Sequence, residues 1–197
     1  LQQLIGEALC VAGLLSAIIK FKGRLTVQFR GKGSLKLLLA QCDNHFNLRA
    51  LAKWDGEMNY ASLMDSFNEG VLVIILDSHH SKANRYQGIV SWRGNSLVES
   101  IQGYFRESEQ LATKIWLAVN ETSAAGFLLQ AVPSKEKESY GIEREIVLPH
   151  WERITRNTSS LVADDLLHAE HQAILRTLYP DEEIRVFDVP GGDTGNN

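Results

Sequence analysis

The sequence predicts an α+β fold: antiparallel β-sheets flanked by helices, followed by a helical linker arm. Two observations predict the sheets. Short runs of alternating apolar and polar residues recur, joined by Gly, Asn and Asp turn signals. Helical periodicity falls in a few isolated segments rather than between every pair of strands, which argues against a parallel βαβ sheet. A third observation predicts the arm: composition changes at Pro133, and the charged run Ser134-Lys135-Glu136-Lys137-Glu138 leads into two helical patterns.

Residues 2–21 read as a helix buried on nearly all sides, ended by Gly23. Its apolar run, residues 4–19, is interrupted by Glu7 and is short of the roughly 20 residues a bilayer span needs. It also lacks the basic flank of a signal peptide. Residues 24–30 alternate, with Leu25, Val27 and Phe29 inward and Thr26, Gln28 and Arg30 outward. Gly31-Lys32-Gly33 is a tight turn, and residues 34–42 are the antiparallel partner, with Leu35, Leu37 and Leu39 on the core face. Residues 48–54, closed by Asp55-Gly56, complete a three-stranded meander with one wet face. A short helix over 60–67, a continuous apolar strand over 71–76 and a polar loop over 77–85 containing His79-His80 follow.

Residues 86–132 form one packing module. A strand over 86–92 breaks at Arg93-Gly94-Asn95, and Ser96-Leu97-Val98-Glu99 is a capping box. The helix behind it carries Leu97, Ile101, Tyr104 and Phe105 on one stripe. Residues 113–120 alternate, with Ile115, Leu117 and Val119 opposite Lys114, Trp116 and Ala118. After the turn Glu121-Thr122-Ser123, residues 125–132 return as a strand.

The chain therefore divides into a core (residues 1–140), a helical linker region (141–190) and a flexible tail or zinc-domain remnant (191–197). In the linker, residues 143–157 read as one helix, which is cleaner if it starts near Pro149 as a first-turn residue. Thr158-Ser159-Ser160 then offers N-caps for a second helix over 163–179, with Asp164-Asp165 at its positive end. Leu166, Leu167, Ile174, Leu175 and Leu178 line its apolar side, Pro180 ends it, and residues 184–189 leave as a short strand-like exit.

A net charge of −4 and a pI near 5.9 argue against nucleic-acid binding. Two cysteines, Cys10 and Cys42, make no disulfide framework and fit a reducing, cytoplasmic setting. No nucleophile stands beside a base, and no glycine spacing makes a phosphate loop. His168 and His171, three apart on one helix, could bring two imidazoles to a metal but lack a third ligand, so they read as a solvated face. Both cysteines read as small buried hydrophobes, and Ser108-Glu109-Gln110 as a helix-ending turn rather than a catalytic patch. No catalytic, metal or redox residue is assigned. The stripe of the arm is either ordinary core or an exposed protein-binding patch.

Several stretches together carry a resemblance: Arg49-Ala50-Leu51-Ala52-Lys53-Trp54, Tyr86-Gln87-Gly88-Ile89-Val90, Tyr104-Phe105-Arg106-Glu107-Ser108-Glu109-Gln110-Leu111 with Trp116-Leu117-Ala118, Ala124-Ala125-Gly126-Phe127-Leu128-Leu129-Gln130, and Leu178-Tyr179 with Glu183-Ile184-Arg185-Val186-Phe187-Asp188. In this order and spacing the chain resembles the bacterial redox-regulated holdase chaperones of the heat shock protein 33 family. The resemblance implies a core, a helical linker and a C-terminal zinc domain. In the family, cysteines in Cys-x-Cys and Cys-x-x-Cys arrangement hold zinc while reduced. Oxidation forms disulfide bonds and releases the metal, and because thiolate ligation is coupled to folding, the linker then unfolds. Unfolded or oxidatively damaged clients are gripped without ATP, under oxidative and heat stress.

The family's cysteines would follow Asp188, where this chain has Val189-Pro190-Gly191-Gly192-Asp193, and its N-terminal strand would precede Leu1. Zinc is thus implied for the complete protein and for no residue here. The core fold, the linker and the client-holding role carry over. Leu166, Leu167, Ile174, Leu175 and Leu178 are the expected client-binding residues, hidden at rest and freed on activation. A homodimer, swapped or paired at an open sheet edge, is also expected. The competing readings are a small-molecule enzyme or ligand-binding α+β domain, which needs a deep pocket with converging polar groups, and a dimeric structural protein.

Overall fold

A computed structural model describes residues 1–19, 22–57, 59, 63, 66–67, 70–78, 85–92, 96–131 and 143–185. The expected loop with His79-His80, the Arg93-Gly94-Asn95 break, most of the 60–67 helix, the core–linker boundary and the tail lie outside them.

Five antiparallel strands form one sheet: β1 (Gly23–Arg30), β2 (Leu35–Asp43), β3 (Leu48–Trp54), β4 (Val71–Ser78) and β5 (Arg85–Ser91), in the order β3-β2-β1-β4-β5. A separate hairpin pairs β6 (Thr113–Val119) with β7 (Ala124–Gln130). Helix α1 (Gln2–Ile18) lies between the two, against β1, β2 and β3 on one side and β6 and β7 on the other. That double contact is why its apolar residues run nearly all round it. The hairpin side needs glycine: a Cβ on Gly126 would stand 2.8 Å from Leu14 Cδ1, and one on Gly6 would stand 2.7 Å from Val119 Cγ1. Ser96 caps α2 (Leu97–Tyr104) by accepting the Glu99 N–H at 3.1 Å, and Leu97, Ile101, Tyr104 and Phe105 are all buried as expected.

Four expectations are corrected. The 86–132 segment is not one module: β5 closes the large sheet, whereas β6 and β7 stand apart from it. Gly23 does not stop α1, which ends five residues earlier, but is the first residue of β1. In β2 the core face is Leu35, Leu38, Ala40 and Cys42, not Leu35, Leu37 and Leu39. The pairing with β3 shifts register between Leu35 and Leu37, and one extra residue turns every later side chain to the opposite face. Finally, the outer face of the sheet is not simply wet. Cross-strand pairing lines up Leu51, Leu39, Gln28, Val73 and Ile89 in one row across all five strands.

The neighbouring outer row is a polar ladder. Gln41 Nε2 donates to Thr26 Oγ1 at 2.7 Å, and Arg49 Nε donates to Gln41 Oε1 at 2.6 Å. These bonds satisfy Thr26 in the middle of the sheet, where it is buried. The unbroken apolar run of β4 has the same origin: Leu72 and Ile74 face the core, and Val73 and Ile75 are covered on the outer face.

Candidate functional site

The arm comprises α3 (Glu143–Thr158), α4 (Ala163–His168) and α5 (His171–Leu178). Helix α3 covers the expected 143–157 and runs through Pro149 instead of starting there, which removes one backbone donor from that turn. Its end is closed by hydroxyls: Thr158 Oγ1 donates to Ile154 O at 2.8 Å, Ser159 Oγ to Arg156 O at 2.6 Å and Ser160 Oγ to Asn157 O at 2.8 Å. Thr158, Ser159 and Ser160 therefore finish one helix instead of capping the next.

The expected single helix over 163–179 is two. The chain is extended at Ala169 and Glu170, and Glu170 caps α5 by accepting the N–H groups of Gln172 at 2.9 Å and Ala173 at 2.7 Å. Those bonds hold the Glu170 carboxyl below its ordinary range. The break also puts His168 and His171 on different helices, and His168 Nδ1 lies 3.0 Å from Asp164 Oδ1 within its own helix.

The five candidate residues separate accordingly. Leu166 is buried and Leu167 half-buried on α4, which lies against β6 and β7. Ile174 and Leu178 are buried on α5 with Tyr179, and Leu175 is half-buried beside them. This second core includes Phe127 and Leu129 of β7 and Ile154 of α3, and is separate from the main core around α1. Burying Ile174 and Leu178 is worth about 1.5–3 kcal/mol each. Polar contacts fasten the same end: Thr158 Oγ1 hydrogen-bonds to Tyr179 OH, Asn157 Nδ2 donates to Leu178 O at 3.0 Å, and Arg153 pairs with Glu182. Burial raises the Tyr179 phenol above its ordinary pKa, so it stays a neutral partner. The hairpin is thus covered on one face by α1 and on the other by the arm.

The sheet carries a second apolar surface, whose residues the sequence reading did not name. On the outer face of the large sheet Ile89 is 67 % exposed and Leu51 48 % exposed, with Val71 also exposed. The resemblance-bearing stretches at 49–54 and 86–90 supply both edge strands of this face. Alternation marks such residues as strand but cannot say whether anything covers them.

Among the described residues no three His, Cys, Asp or Glu side chains converge as metal ligands. Cys10 and Cys42 are free thiols, and burial holds both protonated, Cys10 being pushed up to about 11. They do not fit a zinc site. No described helix is long and apolar enough to cross a membrane.

Comparison with known proteins places this geometry. The family model described as "Hsp33 protein" matches residues 1–190. The 33 kDa chaperonin of Nitrosococcus oceani is 37% identical over 187 residues, which is 95% of this chain and 61% of that protein. That of Shewanella oneidensis is 38% identical over 189 residues, 95% of this chain and 62% of that protein. The chain therefore spans about three-fifths of the length of these relatives. The crystal structure of the Thermotoga maritima 33 kDa chaperonin (heat shock protein 33 homolog) matches with a TM-score of 0.68 at 22% identity, covering 92% of this chain and 63% of that one, and supports the α+β fold. From its Tyr86 and Tyr104 segments to the helical arm behind β7, the chain belongs to the Hsp33 family.

Proposed function

We propose that this chain is the client-holding part of an ATP-independent chaperone, acting on unfolding proteins through apolar surface and with no covalent step. Family membership and the chaperonin names of its relatives support the reading. The observation that carries it is the arm: its apolar residues form a small core of their own on the back of β7, so they can leave without dismantling the main core. At rest clients would meet the outer sheet row of Leu51 and Ile89. Release of the arm would add Phe127 and Leu129 on the sheet side, and Leu166, Leu167, Ile174, Leu175 and Leu178 on the arm. A core over 1–140, a hinged linker over 141–190 and a cytoplasmic setting belong to the same proposal. So does a homodimer paired or swapped at the open edges, β3 or β5. Redox control through zinc would belong to the complete protein, since no thiol in this chain provides it.

The test is suppression of aggregation of a heat-denatured protein, without nucleotide and under reducing conditions. The native chain is expected to suppress at several-fold molar excess. Leu178→Ala, which removes about 2–5 kcal/mol of core packing from the arm, should lower the excess required several-fold. A native chain that never suppresses aggregation, or that strictly needs an oxidant, would refute the proposal.

A further inference from the structure

The Tyr104-Phe105-Arg106-Glu107-Ser108-Glu109-Gln110-Leu111 segment plays no part in the arm. Helix α2 widens after Tyr104 into a π-turn, Phe105–Glu109, and Gln110 then takes the left-handed conformation at φ 55°. Such turns concentrate at functional sites. Here the turn brings Glu109, itself exposed, within reach of two phenols. Tyr104 OH donates to Glu109 Oε1 at 2.5 Å, and Tyr86 OH, reaching across from β5, donates to the same oxygen at 2.9 Å. The two phenol oxygens are themselves 2.5 Å apart. Gly88 makes the approach possible, because a Cβ there would stand 2.8 Å from Tyr104 OH.

Three oxygen–oxygen contacts of hydrogen-bond length share two phenol protons when the carboxylate is ionised, so one contact has none. Burial and these neighbours raise the Tyr104 pKa far above its ordinary value, which keeps its proton in place. No cation pairs with Glu109 among the described residues. The cluster forms one wall of a cavity of about 340 Å³ whose other walls are mostly apolar: Leu15 and Ile18 of α1, Ile74 and Leu76 of β4, Phe105 and Leu111. Small-ligand sites occupy this size range and have this make-up, an apolar body with a few convergent polar groups.

We propose that this cavity binds a small amphiphilic cation, an alkyl- or arylammonium. Its N–H donors bond Glu109 and the phenol oxygens of Tyr86 and Tyr104 at the mouth of the cavity. Its apolar body lies against Leu15, Ile74 and Leu76. The site is distinct from the arm and does not depend on the chaperone reading.

Hexylammonium, 1-hexanol and hexanoate have one chain length and three head groups. Titrated calorimetrically into the full chain, hexylammonium should bind saturably at one site, hexanol at least tenfold more weakly and hexanoate not at all. Amide shifts should centre on Gly88, Gln110 and Leu111. Glu109→Gln should weaken hexylammonium at least tenfold and leave hexanol unchanged. No saturable hexylammonium binding, equal affinity for the three probes, or shifts confined to other residues would overturn the proposal. The probe comparison and the shifts use the native chain, so they decide the matter even if Glu109→Gln fails to fold.

Discussion

A thiol reacts through its anion, and burial withholds the anion from both thiols of this chain. At Cys10 burial contributes most and the Glu7 charge, one turn earlier, adds to it, pushing the pKa up to about 11. Cys42 is fully buried on the inner face of β2 and is raised chiefly by burial, with the Asp43 charge adding to it. Against a free thiol near 8.5, a value of about 11 leaves about 240-fold less thiolate at pH 8. In native protein, Cys10 should therefore react with a disulfide reagent at least a hundredfold more slowly than free cysteine, and both thiols should recover ordinary rates in urea. Native thiols reacting at the free rate would contradict this. The burial of Cys42 was legible in the sequence, because it closes an alternating strand. The role of Thr158 was not. A Thr-Ser-Ser triplet reads as a cap wherever a helix follows, and only its proximity to Tyr179, 21 residues away, shows it as the buried anchor of the arm.

Elements show the same division. Amphipathic α2 and the alternating strands were correct because their patterns answer to one buried face. The continuous helix over 163–179 was wrong because Glu170 is an N-cap, and mid-helix glutamate carries no local signal that it will cap. The cap makes a prediction about acid. Glu170 has a folded pKa below its unfolded one, so its stabilising effect is present above the ordinary carboxylate value, about 4.3, and is lost as pH falls through the lower folded value. α5 should fray as pH drops below about 4, seen as faster amide exchange at Gln172 and Ala173. In Glu170→Gln that dependence should flatten. An unchanged profile in the variant would mean that the carboxylate does not hold the helix. The register shift in β2 is a comparable case. Leu35, Leu37, Leu38 and Leu39 are all apolar, so the sequence offers two phases and the pairing with β3 chooses between them.

At the scale of the whole molecule, two cores of unequal size meet at the β6–β7 hairpin, the larger around α1 and the smaller beneath the arm. Unequal cores open at unequal cost. Amide exchange under native conditions should be slowest in β1 and β4, which have partners on both sides, and faster throughout α4 and α5. Thr158→Val would leave the buried Tyr179 hydroxyl unpaired, at a cost of about 1–3 kcal/mol. Exchange in the arm should then accelerate about fivefold or more, with β1 unchanged. Equal acceleration in β1 would show that arm and core open as one unit.

By itself the sequence determined the α+β class, the strands, the capped α2 and the family, since each is written in local periodicity or in motifs a few residues long. Only the tertiary structure decided which face of β2 is buried, that the arm is docked with Ile174 and Leu178 out of water, that Ile89 and Leu51 are left open, and that Tyr86, Tyr104 and Glu109 meet. Those outcomes depend on contacts between residues distant in the chain, and a side chain's own neighbours in sequence carry no record of them.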